Sequence, residues 1–184
     1  MITTNPAEQL PRVKIAPGKP RPAGEVAIYA ALKAAPARVR LMIRLGAELG
    51  LRSCEIARIH SKDIENDLLG YTLIVHGKGG KIRRVPCSND IAKVIQHANG
   101  WLFTGKIDGH LSGAHVSKLI SRALPDGVTA HMLRHRAAGQ FYRATSHDIR
   151  AVQELLGHAS VATTQIYTPA DNNQLRLAVA GARL

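Results

Sequence analysis

The chain has 184 residues, 45% of them apolar, which is enough for one domain with a proper core and short for two. Lysine and arginine number 25 against 13 acids, a formal charge of +12 that favours a polyanionic partner such as nucleic acid. There is no long apolar run and no basic-then-apolar start at Met1, so neither a spanning helix nor secretion is expected.

Residues 1–23 hold Pro6, Pro11, Pro17, Pro20 and Pro22 with basic residues between them and no apolar period, the pattern of a linker or flexible arm. From Gly24 helical periodicity begins. Val26, Tyr29 and Leu32 mark one helix, and Val39, Met42, Ile43, Leu45 and Leu49 a second, with Pro36 between them and Gly50 as the stop. Ser53 opens a short helix carrying Glu55 and Ile56.

Tyr71 to His76 and Ile82 to Val85 read as strands, joined by a tight hairpin over Gly77-Lys78-Gly79-Gly80-Lys81. Lys78, Lys81, Arg83 and Arg84 form an acid-free basic cluster there. Helices are predicted over 88–98, 111–124, 129–144 and 146–156, with a short strand at Trp101 to Thr104. Gly157 supplies a left-handed helix stop with His158 just beyond it, and a last helical stretch carries Thr164 and Tyr167. The tail from Asn172 holds Leu175, Leu177, Val179 and Leu184, apolar surface able to dock in cis or on a neighbouring protomer.

Cys54 and Cys87 lack CxxC spacing and suggest reduced thiols rather than a zinc site or a disulfide framework. The other histidines, His60, His76, His97, His110, His115 and His147, show no metal-ligand spacing, so no metal is assigned. At 4% the aromatic content gives no platform for stacking single strands, which turns the expectation to duplex DNA.

Arg52, Lys78, His131, Arg134, His158 and Tyr167 together meet the needs of one reaction, attack of a tyrosine oxygen on a backbone phosphorus. Charge collects on the phosphoryl oxygens as the nucleophile approaches, and paired guanidinium donors suit them better than a point charge does. Arg52 and Arg134 are the candidates. His131 and Arg134, at i and i+3, share one helix face. A phenol with a pKa of ~10 needs a base or a positive field, which His131 or His158 can supply. Lys78, or its rival Lys81, can protonate the leaving sugar oxygen.

With these residues in place the chain resembles the catalytic domain of tyrosine recombinases, the phage integrase family. Four blocks carry the resemblance: Gly50-Leu51-Arg52-Ser53-Cys54-Glu55-Ile56, Gly77-Lys78-Gly79-Gly80-Lys81-Ile82-Arg83, His131-Met132-Leu133-Arg134-His135, and Leu155-Leu156-Gly157-His158 through to Tyr167. The resemblance implies a mostly α-helical α+β domain with a small antiparallel β-sheet over 24–170, followed by a tail over 171–184. It also implies a 3′-phosphotyrosyl intermediate formed by Tyr167 with no metal or nucleotide cofactor. Arg52 and Arg134 would clamp the phosphate, His131 and His158 would donate hydrogen bonds or move protons, and Lys78 would act as acid. Glu55 would support the arginines, with Lys81, Arg83 and Arg84 on DNA. The partner implied is double-stranded DNA, with a homotetramer assembled on it from a chain that can be monomeric alone, in a bacterial or phage-host cytoplasm.

The chain departs from the family pattern in two places. Arg136 stands where a small hydroxyl residue is usual, and where integrases usually carry a helical core-binding domain this sequence has the Pro-rich stretch, as expected either of a catalytic domain that begins in the interdomain linker or of a naturally minimal recombinase. Taken singly, each residue also has an ordinary reading as surface charge, structural histidine or core tyrosine, and Tyr142 is a substitute nucleophile. Rival functions are a type IB topoisomerase, which relaxes DNA by the same chemistry, a non-catalytic DNA-binding module, and an RNA-binding protein.

Overall fold

A computed structural model describes residues 22–125, 127–157 and 172–183. Helix α1 (Glu25–Ala34) buries Ile28 and Ala31, so its inner face lies one step round from the expected one. Val26 and Tyr29 are 84% and 52% exposed. Helix α2 (Ala37–Leu49) buries Met42, Ile43, Leu45 and Leu49, each of which stabilises the fold by roughly 1.5–3 kcal/mol through loss of apolar surface. It ends at Gly50 in the left-handed conformation (φ 66°). Arg52 is the residue that caps α3 (Ser53–Ala57), with Ser53 already inside the helix.

The sheet has three antiparallel strands in the order β1-β2-β3, made by β1 (Ile64–Asp67), β2 (Gly70–His76) and β3 (Ile82–Cys87). Strand β1 adds to the expected hairpin and pairs Ile64 with Leu73. Between β2 and β3 the Gly77 N–H donates to the Lys81 carbonyl at 2.7 Å, closing a loop that takes one 3₁₀ turn over Lys78–Gly80. Helix α4 (Asn89–His97) follows, then β4 (Thr104–Ile107), which lies downstream of the strand expected at Trp101. Trp101 instead makes a lone bridge with His60.

Helices α5 (Gly113–Ala123), α6 (Ala130–Ala144) and α7 (Ile149–Leu156) match expectation except at the front of α7. There Ser146 and His147 have positive φ, and Asp148 caps the helix by accepting from the Arg150 and Ala151 N–H groups. Helix α8 (Asn172–Ala180) packs on α6, β3 and α7 of its own chain through Leu175, Ala178 and Val179, while Leu177 stays exposed.

The core is organised by α2 lying against α6, so close at Gly46 that a Cβ there would sit 3.3 Å from Leu133 Cδ1. That approach places Arg134, next along α6, beside the end of α2. Arg136 leaves α6 in another direction and is buried. It pairs with both carboxylate oxygens of Glu25 at 2.8 and 3.0 Å and also donates to the carbonyls of Ala47 and Ala182. One guanidinium thus ties the front of α1, the end of α2 and the residues after α8. Cys54 and Cys87 are free thiols, and burial pushes the Cys87 thiol up to about 12.

Candidate active site

Four of the elements meet where the sequence blocks predicted chemistry: the start of α3, the base of the β2–β3 loop, the first turns of α6 and the end of α7. Glu55 sits at the centre with its side chain 1% exposed. One oxygen accepts from the Arg52 backbone N–H at 2.8 Å and the other from Arg52 Nη1 at 2.8 Å. The same two oxygens accept Arg83 Nη2 and Nη1, both at 2.8 Å, in a forked pair. Arg134 Nη1 lies 3.9 Å away. Burial works to raise the Glu55 pKa and is the largest single influence. The bonds and charge of Arg83, then those of Arg52, outweigh it and hold the carboxyl at about 2.

Three guanidinium groups around one carboxylate leave positive charge uncompensated within the cluster. Arg134 is buried and donates to the carbonyls of Gly50 and Leu156, which follow or end a helix and have no intrahelical partner to take them. Burial, then repulsion from Arg52, lowers its pKa to about 10, which leaves it charged at neutral pH. Arg52 differs. Its side chain is 39% exposed and only Nη1 is engaged on a carboxylate, so its remaining donors are those an anion can reach.

His131 is exposed on the same face of α6, with the His135 ring edge-on to it at 4.4 Å between centroids. Burial, then His131 and Arg134, keep the His135 pKa below the ordinary histidine value. His135 was given no role on sequence grounds; its i+4 spacing from His131 was the available signal.

The expected DNA-contact residues do not share one surface. Strand alternation turns Arg83 inward with Val85 and Cys87, so that its side chain is only 9% exposed and Nε donates to the Leu155 carbonyl at 2.8 Å. Arg84 points out and pairs with Glu65 at 3.0 Å, and Lys81 is exposed at the loop. Lys78 has a described backbone at the tip of the loop. His158 and Tyr167 lie outside the described residues, between Gly157 at the end of α7 and Asn172 at the start of α8. Tyr142 is edge-on to His147 at 4.8 Å. Among the described residues no cluster of histidine, cysteine and acid side chains could hold a metal, and no helix is long and apolar enough to cross a membrane.

A sequence model described as the phage integrase family matches residues 22–174. The tyrosine recombinase XerC of Bradyrhizobium diazoefficiens is 36% identical over 141 residues, covering 68% of this chain and 44% of that protein. The chain therefore spans less than half the length of this curated relative. Among solved structures, the integrase from mycobacterium phage Brujita superposes with a TM-score of 0.73 at 30% identity, over 97% of this chain and 63% of that one. The XerH site-specific recombinase bound to its difH substrate, in a pre-cleavage complex, superposes with a TM-score of 0.61 at 25% identity, over 86% and 50%. With the family match running over most of the chain, and the arginine–glutamate cluster built from the family's sequence blocks, this chain belongs to the phage integrase family of tyrosine recombinases.

Proposed function

We propose that the chain is the catalytic part of a site-specific DNA recombinase that cuts and rejoins duplex DNA through a 3′-phosphotyrosyl intermediate. The observation that carries this reading is the cluster around Glu55, which fixes Arg52 and Arg134 in place and leaves Arg52 able to meet an anion. In the reaction the Tyr167 oxygen attacks the scissile phosphorus and the bond from phosphorus to the 5′ oxygen breaks. Lys78 gives the departing oxygen its proton, while His131 and His158 donate to the phosphoryl oxygens or move the tyrosine proton. The phosphotyrosyl ester keeps the energy of the broken bond, so a 5′ hydroxyl from another strand can reverse the step with no nucleotide cofactor.

Two duplexes each cut on both strands require four tyrosines, so the working form is a tetramer on DNA. A solved neighbour is itself described as an integrase tetramer bound to a Holliday junction. Relaxation of a single duplex would use the same attack. The relatives and neighbours described as recombinases favour strand exchange.

The test is covalent capture. The 184-residue chain is incubated with a randomised library of duplexes nicked so that the 5′ fragment is lost after cleavage, and adducts are recovered under denaturing conditions and sequenced. Wild type should enrich a defined site, and Tyr167→Phe should yield no adduct. An adduct that persists in Tyr167→Phe would transfer the nucleophile to another residue, with Tyr142→Phe as the next variant. Capture by neither protein would overturn the cleavage reading.

A further inference from the structure

We propose that Arg83 is a positioning residue for strand cleavage, a bridge that holds the Lys78 loop and the end of α7 at a fixed distance from Arg52, whose remaining donors an anion can reach. The inference rests on Lys78 acting as the acid for the leaving oxygen.

The bridge is built from three bonds on one planar group. Two run to Glu55, and the third runs from Nε to the Leu155 carbonyl at 2.8 Å. Each end of the bridge lies next to a residue of the reaction. At the first end, a Cβ placed on Gly77 would lie 3.9 Å from Glu55 Oε1, so the carboxylate sits under the neck of the loop that carries Lys78, where Gly77 and Lys81 close it. At the second end, Leu155 and Leu156 present carbonyls that a helix terminus leaves without intrahelical partners. Arg83 takes the first and Arg134 the second, three and two positions ahead of His158.

The passage between the two ends is tight. A Cβ on Gly157 would fall 3.0 Å from Arg83 Cδ, and Gly157 holds φ 62°, so glycine there serves both the helix stop and the path of the arginine. Glu55 also binds Arg52, so the loop, the α7 end and the exposed arginine share one carboxylate. Arg83 itself is too buried to face DNA, and the bonds it makes among the described residues run to Glu55 and Leu155. Its effect must therefore pass through the groups it holds. Lysine cannot replace it, because a point charge cannot span both carboxylate oxygens and a carbonyl at once.

The experiment compares wild type, Arg83→Lys and Arg83→Met on a nicked duplex carrying the sequence enriched by covalent capture. The duplex is made with either the natural oxygen or a bridging sulfur at the 5′ position of the scissile bond. A thiolate departs without a proton, so the sulfur duplex removes the need for the acid and for its placement. Expected are unchanged DNA affinity and single-turnover cleavage of the oxygen duplex lowered ~100-fold, the loss typical of a reacting group displaced by ~1 Å. On the sulfur duplex the loss should shrink at least ~10-fold, within the range that general acid catalysis supplies. An equal loss on both duplexes, or no loss in Arg83→Lys, overturns the proposal. Failure of wild type to cleave either duplex overturns the recombinase reading, and this inference with it.

A second measurement needs no catalysis. Amide hydrogen exchange in Arg83→Lys should rise together at 77–81 and 155–157 while α1 and α4 keep their protection. A rise at only one of these places, or everywhere, contradicts the bridge.

Discussion

Glu55 keeps its charge among Arg52, Arg83 and Arg134, and the stability of the site depends on that charge. Replacing it by glutamine leaves Arg83 and Arg134 buried without a counter-charge. Breaking a buried pair in this way costs ~3–5 kcal/mol, so urea unfolding at pH 7 should show Glu55→Gln weakened by about that much. The carboxyl falls from 4.5 to about 2 on folding, so its contribution is complete above pH 4.5 and is lost as the pH drops through about 2. The difference between wild type and Glu55→Gln should accordingly narrow between those two values. A gap that stays constant down to pH 2 would mean that the carboxylate charge is not what the arginines require. The types and spacing of Arg52, His131 and Arg134 could be picked out by side-chain chemistry, and Glu55 entered the site only through the resemblance to the family. The carbonyls of Gly50, Leu155 and Leu156 that accept from Arg134 and Arg83 were not legible, since a backbone oxygen has no letter of its own.

At the level of elements, the turn after α2 decides whether Arg52 arrives where Glu55 can hold it. Gly50 combines φ 66° with a site where a Cβ would lie 2.7 Å from Leu156 Cδ2, so Gly50→Ala meets both backbone strain and the end of α7. A single strained residue costs ~1–3 kcal/mol, which in a chain of this size lowers Tm by roughly 2–12 °C in a thermal melt. A Tm equal to wild type would show that the α7 end can move aside freely. Helix boundaries were readable because glycine and proline punctuate them, as at Pro36, Gly50 and Gly157. Strand β1 escaped because Ile64-Glu65-Asn66-Asp67 offers one apolar residue and no alternation, and its place comes from pairing with β2. The run Lys81, Arg83 and Arg84 looked like one basic patch, but the two-residue period of β3 divides it between core and solvent. In α1 the spacing of Val26, Tyr29 and Leu32 suggested the inner face, whereas Ile28 and Ala31 are the buried residues and, of the expected three, Leu32 packs against the core.

Across the whole molecule the charge of +12 exceeds what the internal ion pairs consume, and this excess should govern DNA affinity. A protein making about six phosphate contacts loses ~1,000-fold in affinity between ~50 and ~200 mM salt, and fluorescence anisotropy on a duplex should register a fall of that order. A flat salt response would remove backbone phosphates as the main source of binding. Composition made this charge visible at once. The closing of the chain upon itself was not visible, because Glu25, Ala47 and Ala182 give no sign in sequence that they meet at Arg136. That meeting makes the described fold nearly a ring, with residue 25 and residue 182 held by the same guanidinium. Tension applied through whatever precedes α1 is borne by the group that also anchors the residues after α8, so the entrance and the exit of the domain are mechanically one joint.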